Sequence, residues 1–194
     1  MFIFSMERSY VSEILDKKKE GKILVKGWVH DIRDLGKIRF LLLRDLSGTI
    51  QITAFKDKSE KIFGLMSLPK ESVISVEGKA VKSKQAPGGV EIIPEKIELI
   101  SEAEQPLPID VSDFSKTELP KRLDYRFLDL HNRKTQAIFK IQSEISNGFR
   151  EHFYKKGFIE MQPPSVILAA SEGGTDLFPV KYFEKNAFLA QSPQ

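Results

Sequence analysis

The 194-residue chain contains no cysteine. Disulfides, thiolate nucleophiles and Cys-ligated zinc or iron–sulfur sites are thereby excluded, so any metal would be held by oxygen. No apolar run approaches the about 20 residues needed to span a bilayer. The opening Met1-Phe-Ile-Phe4 is too short for a signal peptide and is followed by Glu7 and Arg8, so a cytoplasmic location is expected. Internal repeats and low-complexity tracts are missing as well. Charge of one sign is also scarce: 30 Lys and Arg against 27 Asp and Glu leave a formal charge of +3. That balance is silent about a nucleic-acid partner, which only the local arrangement of charge can reveal. What is present, 41% hydrophobic and 29% charged residues, is an ordinary globular composition long enough for one large domain or two smaller ones.

Residues 21–100 read as short strands at 23–30, 38–44, 49–55, 73–81, and 90–93 with 96–100. Turn signals at Leu35-Gly36, Ser47-Gly48 and Ala86-Pro-Gly-Gly89 separate them, and the second and third strands are expected to form a hairpin. Ser59 to Met66 is the one helical interruption, with Ile62, Leu65 and Met66 on one face and Pro69 beyond its end. Three strands, a helix and two strands is the order of the OB fold. Such a five-stranded barrel offers the face of its second and third strands to single-stranded nucleic acid.

From Ser101 to Ser115 the pattern becomes loop-like, with Pro106, Pro108 and several acidic residues, and a domain boundary is expected there. Between Asn132 and Lys155, Ile138, Ile141, Ile145, Phe149 and Phe153 form an apolar stripe on a long helix that should stop at Gly157. Phe158-Ile-Glu-Met161 carries a short strand signal closed by Pro163-Pro164. The division expected is a barrel over 1–104, a hinge over 105–131 and a mixed α/β region over 132–194.

On the second strand Phe40 lies between Arg39 and Leu41, so it faces the opposite side from its immediate neighbours. Facing out, it is a platform on which a base could stack, for about 1–3 kcal/mol, with Arg33, Lys37 and Arg44 near enough to hold phosphates. Facing in, it is a core phenylalanine, the commoner fate of a strand aromatic. Gln51 and Glu91 are polar residues set among isoleucines, either reading base edges or lining a solvated face.

These residues sit in a pattern: Gly27-Trp-Val-His-Asp-Ile-Arg-Asp-Leu-Gly36, Phe40-Leu-Leu-Leu-Arg-Asp-Leu-Ser-Gly48 and Ile50-Gln51. It continues through Leu119-Pro-Lys-Arg-Leu-Asp-Tyr-Arg-Phe-Leu-Asp-Leu130, Gly157-Phe-Ile-Glu-Met-Gln-Pro-Pro164, Ser171-Glu-Gly-Gly-Thr-Asp-Leu-Phe-Pro179 and Phe188-Leu-Ala-Gln-Ser-Pro-Gln194. The ensemble covers nearly the whole chain and resembles the aspartyl-tRNA synthetases of class II, archaeal in style.

The resemblance implies that Phe40 stacks on the central anticodon base while Arg33, Gln51 and Glu91 contact the anticodon. His30 and Pro87 look like the non-discriminating type, which charges both tRNA-Asp and tRNA-Asn; a surface histidine and a turn proline are the plain alternative. Residues 157–164 resemble motif 1, implying a homodimer with Pro164 near its two-fold axis. Ser171, Glu172 and the two glycines that follow resemble a mobile loop over the bound aspartate, Glu172 taking the ammonium, Ser171 assisting and Gln194 bonding the same substrate. On the residues alone Glu-Gly-Gly is an ordinary turn signal.

The family's ATP- and magnesium-binding positions fall after Gln194. The 194-residue stretch is thus expected to be part of a longer ligase and inactive in aspartate activation by itself. Two rivals stay open: an asparaginyl-tRNA synthetase, whose sequence typically departs from the Gln-Ser-Pro-Gln ending, and a stand-alone OB protein that binds RNA without catalysis.

Overall fold

A computed structural model describes residues 6–112, 114–168 and 177–190. The chain divides into two compact units, Met1–Leu107 and Pro108–Gln194.

The first unit opens with a short helix α1 (Val11–Asp16) and continues with β1 (Gly21–Asp34), β2 (Ile38–Arg44), β3 (Thr49–Phe55), α2 (Glu60–Leu65), β4 (Val73–Lys82) and β5 (Val90–Ser101). The strands close a barrel in the order β1-β2-β3-β5-β4, sealed by antiparallel β1–β4 pairing and a short parallel contact between β3 and β5. Alternation explains the core: Ile23, Val25 and Val29 of β1, Leu41 and Leu43 of β2, Ile50 and Ile52 of β3, Ile74 and Val76 of β4, and Val90 and Ile92 of β5 all point inward and are fully buried. Phe63 and Met66 add the α2 end to the same cluster, with the Ser59 hydroxyl accepting the Ile62 N–H at 3.3 Å to start that helix.

Three features of this unit depart from the sequence expectation. The β5 segment is one strand rather than two pieces, because Glu95 is an extra residue between Pro94, opposite Gly78, and Lys96, opposite Glu77. The helix α1 carries only two buried residues, Val11 and Ile14, too few for a periodic signal. Its N-terminus is held from a distance: Asp45 accepts the Val11 N–H at 2.9 Å and Ser47 Oγ accepts the Ser12 N–H at 2.9 Å.

The third departure is Arg44, expected to hold phosphate. It is 4% exposed and forms a bidentate pair with Glu71, itself 6% exposed, at 2.9 and 2.8 Å. Arg44 also donates to His30 Nδ1 at 3.0 Å and lies over the Trp28 ring. Pairing across the β1–β2 ladder puts Arg44 opposite Trp28, and the polypeptide at 71–72 covers that outer patch. The covering segment is anchored by Val29, whose carbonyl accepts the Glu71 N–H at 2.7 Å while its own N–H donates to Ser72 at 2.8 Å. Glu71 holds this position at φ +69, a strained conformation for a residue with a side chain.

The second unit contains α3 (Leu119–Asp124), α4 (Arg126–Asp129), α5 (Arg133–Lys155) and a three-stranded sheet of β6 (Val166–Ile167), β7 (Pro179–Tyr182) and β8 (Lys185–Leu189), ordered β6-β8-β7. Asp129 organises the helices. Its buried carboxylate accepts from Arg122 at 2.7 Å, from Arg126 at 2.8 Å and from the Thr135 hydroxyl at 3.2 Å. Burial alone would raise its pKa; the hydrogen bond and charge of Arg122, then Thr135 and Arg126, outweigh this and hold it below the usual carboxylate value.

Asn132 caps α5, its side-chain oxygen accepting the Lys134 and Thr135 N–H groups at 2.9 and 3.3 Å. The helix ends at Gly157, φ +81, where Phe158 N–H returns to Phe153 and Gly157 N–H to Tyr154, and the Phe153 and Phe158 rings meet edge-on at 5.1 Å. The strand signal at 158–161 is not realised: the chain there is irregular, because the helix-end motif ties Phe158 back to the last turn of α5.

Two outcomes follow. Glu71→Gln should lower stability by about 3–5 kcal/mol in urea unfolding, since it strands a buried arginine, whereas the double change Arg44→Met, Glu71→Leu should cost less than the single one. Because Asp129 has a lower pKa folded than unfolded, its contribution is complete above pH about 3.9 and is lost as pH falls through the folded value. Thermal unfolding from pH 6 to pH 2 should show that loss in the native chain and a weaker one in Asp129→Asn.

Candidate nucleic-acid interface

The side chains singled out on the barrel meet on one outer face, and a single extra residue in β1 makes this possible. Val29 pairs with Leu43 and Asp31 with Leu42, so His30 is the extra residue of a bulge. Before the bulge, odd-numbered residues such as Val25 and Val29 face the core. After it the phase is reversed: Ile32 packs on the core opposite Leu41, and Arg33 is turned out beside Phe40. Leu41 and Leu43 fill the interior, which leaves half-buried Phe40 and Leu42 on the outer side of β2.

Across the hairpin Phe40 stands opposite Thr53 and Leu42 opposite Gln51, and Gln51 in turn pairs with Glu91 of β5. The polar trio is bonded together. Gln51 Nε2 donates to Glu91 Oε2 at 2.9 Å, and the Thr53 hydroxyl donates to the same oxygen at 2.6 Å. With its NH₂ committed to Glu91, the Gln51 amide carries its carbonyl oxygen on the other branch, as an acceptor of fixed orientation. Thr53 is a member of this group that the sequence reading missed; its alternation with Gln51 on β3 was the available signal.

A cavity of about 350 Å³ opens here, lined among others by Asp31, Arg33, Phe40, Gln51, Gln85 and Pro87. It therefore gathers Arg33, Phe40, Gln51 and Pro87, with Glu91 bonded to its edge, and adds Asp31 and Gln85. Pro87 enters through a short 3-10 turn, Pro87–Gly89, immediately before β5. His30 does not line this cavity; its ring is engaged with Arg44. Lys70 lies 2.7 Å from Asp31. Its hydrogen bond, aided by its charge and opposed by partial burial, keeps the Asp31 carboxyl below the ordinary range. The face thus combines a ring for stacking, a guanidinium, an oriented amide and ionised acceptors, the equipment needed to hold an unpaired base and read its edge.

In the second unit Pro164 lies in the exposed irregular stretch after α5. Ser171, Glu172 and Gln194 lie outside the described residues. Among the described residues no three His, Asp or Glu side chains are grouped to hold a metal ion, and no helix is long and apolar enough to cross a membrane.

Two protein families match the chain: the OB-fold nucleic acid binding domain over residues 23–100, and tRNA synthetases class II (D, K and N) over residues 118–194. Among curated relatives, aspartate–tRNA(Asp) ligase of Pyrococcus horikoshii is 50% identical over 187 residues, spanning 95% of this chain and 43% of the relative. Aspartate–tRNA(Asp/Asn) ligase of Archaeoglobus fulgidus is 47% identical over 189 residues, spanning 96% and 44%. The structure of asparaginyl-tRNA synthetase from Pyrococcus horikoshii complexed with asparaginyl-adenylate superposes with a TM-score of 0.86 at 33% identity, over 97% of this chain and 44% of that one. The chain spans less than half the length of the curated relatives it matches. With an OB barrel followed by the opening of a class II synthetase domain, and about half its residues shared with archaeal aspartate ligases, the chain is similar over nearly its whole length to part of the archaeal class II aspartyl-tRNA synthetases.

Proposed function

We propose that the chain supplies anticodon reading and part of the amino-acid site of an aspartate–tRNA ligase, working in the cytoplasm, that charges both tRNA-Asp and tRNA-Asn. The observation that carries the reading is the single cavity joining Phe40, Arg33, Gln51 and Pro87, with Glu91 bonded to Gln51. Phe40 stacks on the central anticodon base, which fixes position without identity. Gln51, oriented by Glu91, supplies the directional hydrogen bonds that distinguish one base edge from another, and Arg33 neutralises the backbone. Pro87 lines the same cavity as Phe40, and His30 acts from behind through the β1 bulge, together tolerating either base at the third anticodon position.

In this reading residues 1–104 form the anticodon-binding barrel, 105–131 a hinge and 132–194 the first part of the catalytic domain. Glu172 takes the aspartate ammonium, with Gln194 and Ser171 bonding the same substrate. ATP and magnesium are held by positions after Gln194, where they support aspartyl-adenylate formation before transfer to tRNA. Two copies associate about an axis near Pro164, burying the α5 stripe. The curated relatives that share about half their aligned residues with the chain are aspartate ligases, which supports aspartate as the amino acid.

Binding to anticodon stem-loops of tRNA-Asp, tRNA-Asn and an unrelated tRNA, across a salt series, tests the reading. Both cognate loops should bind and the unrelated loop should not, with Phe40→Ala about 5- to 150-fold weaker, the equivalent of about 1–3 kcal/mol of stacking. Selection of tRNA-Asp alone would remove the dual specificity. Equal, steeply salt-dependent binding of all three would reduce the barrel to a general electrostatic RNA binder.

A further inference from the structure

The outer face that holds Phe40 does not end there. The β2–β3 register continues from Phe40 opposite Thr53 to Ile38 opposite Phe55, so Phe55 lies two residues along β3 on the same face. A diagonal pair of this kind is separated by about 7–8 Å, within reach of adjoining nucleotides. Phe55 is half-buried and stands outside the barrel's buried cluster. It borders a second opening of about 620 Å³, lined by Lys37, Ile38, Phe55, Lys56, Asp57 and Glu60.

Positive charge is grouped around this ring. The Lys58 ammonium lies 4.8 Å from the Phe55 centroid. Lys37 and Lys56 are linked across the hairpin end, the Lys56 N–H donating to the Lys37 carbonyl at 3.0 Å, which holds both side chains at the mouth of the opening. Asp57 and Glu60 border the same space on the α2 side, so a phosphate is drawn to the lysine side. Asp34, the remaining acid nearby, is occupied by Arg39 through both Nε and Nη2.

We propose that Phe55, with Lys37, Lys56 and Lys58, forms a second stacking subsite that takes a single-stranded RNA nucleotide flanking the one held at Phe40. The inference rests on the barrel's reading as an anticodon binder and extends it along the strand direction. Stacking on Phe55 accepts any base, so this subsite adds affinity and fixes the course of the loop without reading its sequence.

The test is fluorescence anisotropy with the tRNA-Asp anticodon stem-loop, intact and with single abasic replacements at each loop position beside the anticodon. Proteins compared are the native chain, Phe40→Ala, Phe55→Ala, Phe55→Tyr and the double variant Lys56→Ala, Lys58→Ala, each checked for folding by thermal melting. Phe55→Ala should bind about fivefold or more weakly and Phe55→Tyr nearly as well as the native chain. One abasic position should weaken the native chain and leave Phe55→Ala unaffected. Removing both lysines should flatten the log–log salt slope by about 1.4. Native-like binding by folded Phe55→Ala alongside a loss in Phe40→Ala would overturn the subsite and leave the anticodon reading standing. No loss in either would overturn that reading itself. Should Phe55→Ala not fold, a native chain indifferent to every flanking abasic position would overturn the subsite.

Discussion

The outer face of the barrel that carries Phe40 and Arg33 depends on one extra residue in β1. A regular β1 would carry Val25, Val29, Asp31 and Arg33 on a single side, which would bury two charges or expose two core valines. The bulge at His30 changes the phase between Val29 and Asp31, so Ile32 joins the core and Arg33 moves to the outside beside Phe40. Such a device must be held in place, because a bulge sacrifices regular ladder bonds. Val29 spends both backbone groups on residues 71–72, and the pair formed by Arg44 and Glu71 seals that segment against β1 and β2 while gripping His30. A strained Glu71 backbone and a buried ion pair are costly features, and both sit against the bulge that decides which face Arg33 occupies.

The same outer face is also built so that its polar groups are arranged before any ligand arrives. Glu91 accepts from both Gln51 and Thr53, which come from a strand joined to β5 only through a short parallel contact. These side-chain bonds and the strand contact reinforce one another. An amide already oriented loses little rotational freedom on meeting a base, and it penalises a base presenting the wrong edge. In the proposed anticodon reading the Phe40 ring supplies attraction common to all bases, so discrimination has to come from this fixed set of donors and acceptors.

How far the sequence was legible follows from the range of the interactions concerned. The hairpin of β2 and β3 was readable to the residue, because alternation around Leu41, Leu43, Ile50 and Ile52 is a local pattern and Ser47-Gly48 marks its turn. The long helix was readable because a cap at Asn132, a stripe at three- and four-residue spacing and a stop at Gly157 agree. Arg44 was not: nothing in its neighbourhood announces a partner 27 residues away. For the same reason α1 escaped notice, its first turn being capped by Asp45 and Ser47, 34 and 35 residues downstream. At the site, alternation located Phe40, Gln51 and Glu91, while their bonding to one another needed the closure of β3 on β5.

The two units stand in different energetic positions, and this separates what substitutions in each will do. The barrel closes on itself and buries its own apolar residues, so its outer face is free to be polar and to bind. Helix α5 instead leaves Ile138, Ile141, Ile145 and Phe149 each at least 60% exposed. Burying four such side chains is worth about 6–12 kcal/mol, comparable with the whole stability of a typical domain. The homodimer proposed above covers a face of that value. The turn at Gly157 then directs Ile159 and Met161 onward toward Pro164 with their own apolar surface exposed, so the stripe and the segment after it offer one extended surface for a two-fold-related copy, as proposed above. In the function proposed above, changes on α5 act on assembly and on the site that assembly supports, whereas changes on the barrel's outer face act on RNA with the fold left intact.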